Sequence, residues 1–248
     1  MNFFSYKLVT MVVVIITGHN KVPEVWEQSL EIYQSHSKIS KVLVCTWNGE
    51  SFQCKSTEKL QFIYLDKITP PAEWNVVKHK TAYYQSYTYS AAIAHLSDNN
   101  LSNEDTLILK SRPDVIISHE QLNSILTKDL DDKVWIPWAH RTKKLYIADE
   151  CYCSTMKVLK KMYSNMDVTL ESSYGQGHSH VQCFNHYKVP ESNYVEWLNE
   201  NFVIETIENG VLFREWNVGK GDLGVHLYFS TPNKRVAVFG SDAPLLAR

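Results

Sequence analysis

The stretch Leu107-Ile108-Leu109-Lys110-Ser111-Arg112-Pro113-Asp114-Val115-Ile116-Ile117 constrains the fold more than any other part of the chain. A short unbroken run of Leu, Ile and Val is the mark of a strand buried on both faces, as in a parallel sheet covered by helices. Pro113 has no N–H for a ladder, so a central strand has to stop at about Arg112. Asp114 is then delivered beyond the carboxyl end of that strand, where open α/β sheets hold their ligands. A carboxylate there can take a divalent cation, while Lys110 and Arg112 are suited to phosphate. The same residues also fit a plainer description, a strand-ending turn with a surface ion pair.

A second apolar run lies near the N-terminus. Lys7 followed by Leu8 to Ile16 has the outline of a short signal-peptide core, but it is far below the roughly 20 residues that a spanning helix needs. No small-x-small cleavage site follows. Val12-Val13-Val14-Ile15-Ile16 is β-branched throughout, which favours a buried strand ending at the turn Thr17-Gly18-His19.

Helical and strand patterns then alternate. Val22 to Ser35 carries apolar residues at helical spacing behind Pro23, and Lys41 to Thr46 reads as a strand ending at Trp47-Asn48-Gly49. Phe62 to Leu65 is a third strand. Lys80 to Leu96 is a helix, and Asn99 to Asp105 is a polar turn before the Leu107 strand. This order is the signature of a mostly parallel sheet with covering helices, in one α/β domain. Further on, Val134 to Trp138 reads as an edge strand. Asp149 is expected to cap a helix over Cys151–Tyr163, and a shorter helix is expected over Asn193–Asn201. Ile204–Ile207, Val211–Phe213, Val225–Phe229 and Arg235–Phe239 read as short strands of a small β-rich tail with no evident place in the sheet.

Composition excludes several classes. In 248 residues, 44% hydrophobic and 21% charged, there is ample material for a core. A net charge of −2 provides no field for nucleic acid, which is not expected as a partner. Five cysteines, odd in number and without C-x-x-C pairs, point to free thiols in a reducing compartment rather than zinc.

Taken in order, Ile16-Thr17-Gly18, Val44-Cys45-Thr46-Trp47, Gln85, Leu109-Lys110-Ser111-Arg112-Pro113-Asp114 and Ile147-Ala148-Asp149-Glu150 resemble the WavE family of lipopolysaccharide-synthesis glycosyltransferases. More distantly they resemble nucleotide-sugar transferases of the GT-A fold. The likeness covers roughly residues 10–165. It implies a GT-A-like, Rossmann-type, mostly parallel sheet with a small β-rich C-terminal extension. Residues 1–130 would form the nucleotide-sugar half and 131–248 the acceptor half. The implied partners are a nucleotide-sugar donor and a glycan or lipid-linked glycan acceptor. The implied setting is the cytoplasm, with peripheral contact at the inner membrane.

The chemistry assigns roles within that frame. Most GT-A enzymes hold Mn²⁺ or Mg²⁺ with an Asp-x-Asp pair, and Arg112 stands here in place of the first Asp. Two arrangements follow: Asp114 as the metal ligand, or Lys110 and Arg112 as the phosphate clamp in its stead. Asp149, with Glu150 beside it, is the candidate base for the acceptor hydroxyl in an inverting transfer, or else a helix cap and a first-turn acid. Thr17, Gly18, His19, Thr46, Trp47, Gln85 and His140 are candidate substrate contacts, each also explicable as a turn, core or surface residue. His178 and His180 in the Gly175–His180 loop lack partners at metal-site spacing. Two rivals remain: a non-catalytic nucleotide- or sugar-binding module of the same fold, and an oxidoreductase, which would need a G-x-G-x-x-G that Thr17-Gly18-His19-Asn20 does not supply.

Overall fold

The computed structural model describes residues 11–20, 22–70, 77–130, 132–141, 145–147, 151–164, 202–206, 225–231 and 234–239. In chain order the first elements are β1 (Val12–Thr17), α1 (Pro23–Ser35), β2 (Ile39–Trp47), β3 (Leu60–Leu65), α2 (Val77–Asp98), β4 (Leu107–Ser111), β5 (Val115–Ile117) and α3 (His119–Ile125). After them come β6 (Val134–Arg141), β7 (Leu145–Ile147), β8 (Tyr152–Thr155), α4 (Met156–Ser164), β9 (Phe202–Thr206), β10 (Val225–Thr231) and β11 (Lys234–Phe239).

The β-branched run of β1 sits at the centre of the main sheet, with every residue buried. It pairs in parallel with β2 on one side and β4 on the other, in the registers Ile16↔Val44 and Ile16↔Ser111. The sheet has eight strands in the order β3-β2-β1-β4-β8-β6-β7, with β9 also on β6. β8 runs antiparallel to both β4 and β6, β7 runs antiparallel to β6, and the remaining strands share the direction of β1. This is the mostly parallel, Rossmann-type sheet flanked by helices that the sequence leads one to expect.

Alternation along the strands builds two cores. Val12, Val14, Ile16, Val42, Val44, Leu107 and Leu109 face Trp26, Leu30 and Tyr33 of α1 and Leu122 and Ile125 of α3. Val13, Ile15, Leu43, Cys45, Ile108 and Tyr152 face Tyr89, Ile93 and Leu96 of α2 and Met156 and Leu159 of α4. Both faces are thus sealed, which is why the strands read as continuous apolar runs. Helix ends follow local chemistry. Pro23 occupies the first turn of α1, and the Ser118 hydroxyl accepts the Gln121 N–H at 3.1 Å to start α3. Asn100, at φ +53°, ends α2 while Leu101 N–H closes on Leu96 O at 2.9 Å.

Three expectations are corrected. β6 is not an edge strand, because β8 and β9 flank it, and Pro137 is accommodated within it. The helix expected over Cys151–Tyr163 begins only at Met156. Residues Tyr152–Thr155 form β8, since Cys, Tyr, Ser and Thr are weak helix formers that alternate well between two sheet faces. Asp149 is therefore seven positions ahead of α4 by sequence and does not cap it. The tail also finds its place. β9 joins the main sheet, while β10 and β11 form a hairpin whose β11 pairs in parallel with β5, Val238 opposite Ile116. The strand expected at Val211–Phe213 and the helix at Asn193–Asn201 lie outside the described residues.

Candidate functional site

Because β1 connects onward to β2 on one side and the chain later returns to β4 on the other, the sheet has a topological switch point between β1 and β4. Gly18 and Pro113 meet there, beyond the carboxyl ends of the two strands. A Cβ built on Gly18 would lie 3.6 Å from Pro113 Cδ. Gly18 has φ +121°, a conformation that glycine takes without a Cβ penalty. The Thr46 hydroxyl donates to Gly18 O at 3.1 Å, joining the end of β2 to the turn after β1.

Two buried polar atoms stand out at this edge. The Thr17 hydroxyl, in a residue only 1% exposed, and the Asn20 side-chain oxygen are buried with no hydrogen-bond partner among the described residues. Buried polar groups are almost always paired, and here two within four residues lack a partner among the described residues. His19, between them, is accessible, and its Nδ1 pairs with Glu50 Oε1 from the β2–β3 loop. Glu50 escaped the sequence reading, because a lone acid thirty-one residues from its partner carries no local signal.

The Arg112–Val115 segment is a closed turn. Val115 N–H donates to Arg112 O at 3.2 Å, with Pro113 supplying the fixed φ that the second position of such a turn favours. Within it Arg112 Nε and Nη2 donate to Asp114 Oδ1 and Oδ2 at 2.8 and 3.0 Å, a two-pronged ion pair with both side chains about four-fifths buried. Just before the turn, Tyr33 OH and Ser111 Oγ share a buried hydrogen bond of 2.9 Å, and burial pushes the Tyr33 hydroxyl well above the usual tyrosine range. This bond anchors the base of the turn to α1.

The remaining candidates are distributed as follows. Lys110 lies on the opposite face of β4 from Ser111; it is 2% exposed and its ammonium stands 5.4 Å from the centre of the Tyr152 ring. Trp47 is also buried, with its ring stacked on Tyr87 and edge-on to Tyr84 of α2, so it caps the core. Gln85 is half-buried on α2 and already engaged in an interaction. His140 is in β6 opposite Tyr146 of β7, toward the same end of the sheet as Gly18, since β6 runs parallel to β4. Asp149 and Glu150, with the Gly175–His180 loop, lie outside the described residues.

A divalent cation at Asp114 was the first of the two arrangements expected. Mg²⁺ takes oxygen ligands at about 2.0–2.1 Å in a near-ideal octahedron. Both Asp114 oxygens already accept from a guanidinium, and among the described residues no group of three His, Cys, Asp or Glu side chains is placed to hold a metal. Each oxygen of that carboxylate has a second lone pair, so the pair with Arg112 and a cation are not mutually exclusive at Asp114. The four described cysteines, Cys45, Cys54, Cys151 and Cys153, are free thiols, and burial pushes those of Cys45 and Cys153 up to about 12, leaving them unreactive. Among the described residues no helix is long and apolar enough to cross a membrane.

No protein-family model matches the chain, and no curated protein sequence does. Solved structures with a similar shape include 4-diphosphocytidyl-2C-methyl-D-erythritol synthase from Anaerococcus prevotii, at 11% identity and TM-score 0.47, covering 79% of this chain and 87% of that one. The galactosyltransferase LgtC, in complex with donor and acceptor sugar analogues, is 10% identical with TM-score 0.43, covering 71% and 70%. CMP:2-keto-3-deoxy-manno-octonic acid synthetase complexed with CTP gives 10% and 0.43, covering 71% and 85%. Similarity of this degree is a likeness of general shape, and no residue role passes from those proteins to this chain.

Proposed function

We propose that this chain is a nucleotide-sugar-dependent glycosyltransferase whose donor binds at the β1–β4 switch point. The observation that carries the reading is the pair of orphaned polar atoms, Thr17 Oγ1 and Asn20 Oδ1, flanking an accessible His19 beside the Arg112 turn. Hydroxyl and amide oxygens suit a ribose or base edge, and a guanidinium suits a phosphate. The likeness of the Ile16–Thr17–Gly18 and Lys110–Asp114 segments to the WavE family supports a bacterial surface-polysaccharide or lipopolysaccharide acceptor.

The transfer then runs as one displacement. The acceptor oxygen bonds to the anomeric carbon, the bond from that carbon to the diphosphate oxygen breaks, and Arg112 stabilises the charge that gathers on the departing phosphate. Asp149 takes the acceptor proton, with Glu150 orienting it, and the anomeric configuration inverts. Support for this assignment comes from connectivity. β8 runs antiparallel to β4 with Tyr152 opposite Lys110, and Asp149 is three residues before Tyr152, a span of at most about 11 Å between Cα atoms. The helix-dipole support expected for Asp149 is withdrawn, because α4 starts at Met156.

The test is a thermal-shift screen of UDP, CDP, GDP and ADP, followed by transfer assays with the sugar nucleotides of whichever base binds. A ligand that binds only the native state raises the melting temperature, by about 2.7 kcal/mol of stability at 100 times its Kd. Binding followed by sugar transfer supports the reading. Binding without transfer to any glycan or water would make the chain a nucleotide-binding module, and no binding would remove the donor site altogether.

A further inference from the structure

We infer that His19 contacts the phosphate of the nucleotide-sugar donor and that Glu50 is the positioning residue that orients its ring. This rests on the donor reading above and adds a phosphate contact to it. The pair is assembled by two adjoining turns. After β1 the chain turns at Gly18, φ +121°, and His19 follows directly. After β2 it turns at Gly49, φ +93°, where Glu50 N–H closes on Trp47 O at 3.1 Å and the buried Trp47 ring anchors the turn. The Thr46 hydroxyl donates to Gly18 O at 3.1 Å, so the two turns are already tied together through the backbone of the first. The Glu50 carboxylate then meets His19 Nδ1. A carboxylate is an acceptor only, so Nδ1 carries the proton in this bond.

That bond fixes what the ring can do next. An accessible histidine otherwise rotates about two torsions and exchanges its proton between two nitrogens. Here the carboxylate sets the ring plane and leaves Nε2, on the other side of the ring, as the atom for a ligand. The side chain is 42% exposed, and among the described residues Nε2 has no hydrogen-bond partner. Of the other acids at this edge, Asp66 accepts from Asn48 at 2.6 Å and Asp114 from Arg112; neither is bonded to His19. His19 also stands where phosphate is expected, since it adjoins Gly18, whose Cβ position is 3.6 Å from Pro113 Cδ in the Arg112 turn. An imidazolium between a carboxylate and a phosphate donates to both, with its charge offset on each side. Stability does not account for the pair, because an ion pair this accessible contributes little to folding.

The test compares His19→Ala, Glu50→Gln and the double variant by calorimetry, with UDP, CDP, GDP and ADP, their nucleosides and inorganic pyrophosphate as ligands. Nitrogen-15 NMR reads which ring nitrogens of His19 carry protons. Each single variant is expected to keep a Tm near the parent value and to lose about tenfold in affinity for pyrophosphate and for the diphosphate that binds. The nucleoside, which has no phosphate, should bind as before; a merely structural role would weaken it equally. Because Glu50 acts through His19, the double variant should lose no more than His19→Ala alone. Nδ1 should be protonated in the protein by itself, and both nitrogens in the diphosphate complex. Undiminished diphosphate affinity in His19→Ala, or losses that add in the double variant, would overturn the inference while leaving the donor reading intact. Equal losses for nucleoside and diphosphate would overturn it too. A His19 whose Nδ1 bears no proton would overturn it even if no nucleotide binds. Absence of nucleotide binding in every form counts against the donor reading and removes this one with it.

Discussion

Replacing Gly18 with alanine isolates a single physical effect at the centre of the proposed site. Gly18 has φ +121°, outside the regions that a Cβ permits, so the substituted residue is strained wherever its methyl points. Such strain costs of order 1–3 kcal/mol. Space is not the obstacle, because the new methyl would stand 3.6 Å from Pro113 Cδ, an ordinary contact distance. Gly49→Ala is the internal control: φ is +93° and nothing lies within 4 Å of the added Cβ, so it carries the same kind of strain away from Pro113. For a chain of this size each kcal/mol lowers Tm by about 2–4 °C, so either variant should lose roughly 2–12 °C in scanning calorimetry. The two should differ in ligand response. Gly18→Ala shifts the carbonyl that Thr46 holds beside Thr17, so it should weaken the nucleotide-induced rise in Tm more than Gly49→Ala, whose turn reaches the site only through Glu50 and His19. A Gly18→Ala protein within about 0.5 kcal/mol of the parent, the range of an ordinary surface substitution, would refute the reasoning.

Three further outcomes follow from the geometry. Tyr33→Phe removes the buried bond to Ser111 and should cost about 0.5–1.5 kcal/mol in urea titration; no loss would mean that the bond does not anchor the turn. Burial of His36 (4% exposed) and, after it, the neighbouring His119, Lys38 and Lys59 hold its pKa below the ordinary 6.5, so the unfolded chain binds the proton more readily. Stability should therefore be intact above pH 6.5 and fall as the pH drops from 6.5 toward the lower folded-state value, with His36→Gln flattening that slope in urea titrations; an unchanged slope would contradict the assignment. Asp149→Asn should leave Tm near the parent value, since α4 begins only at Met156, while reducing sugar transfer by about 10²–10⁴-fold; full transfer, or a product with retained anomeric configuration by NMR, would exclude it as the base.

The parts of the fold legible in the sequence were those in which local pattern and burial agree. Val12 to Ile16 and Leu107 to Leu109 can be little else than buried parallel strands, and Pro113 dictates where the second one ends. β8 was misread because Cys151, Cys153 and Met156 lie on apolar positions compatible with either period, and only pairing with β4 decides between them. The docking of β11 on β5 was not legible at all, since contact between residues about 120 positions apart leaves no trace in local spacing. At the site, the sequence pointed to Thr17, Gly18, Thr46, Arg112 and Asp114 as strand-end residues. It had no means of knowing that Arg112 and Asp114 satisfy each other, that Lys110 turns toward Tyr152, or that Glu50 reaches His19. Those are properties of side-chain direction, which one sequence does not encode at any single position.

The central claim is that a nucleotide occupies the carboxyl edge of the sheet between β1 and β4. Amide hydrogen exchange followed by mass spectrometry, with and without a saturating nucleoside diphosphate, tests it most directly. Exchange should slow at His19 and Asn20, at Asn48 to Glu50, and at Arg112, Asp114 and Val115, where the chain turns beyond β1, β2 and β4. The opposite end of the sheet, around His36 and His119, should be unaffected. Protection confined to that opposite end, with none at the three turns, would contradict the account.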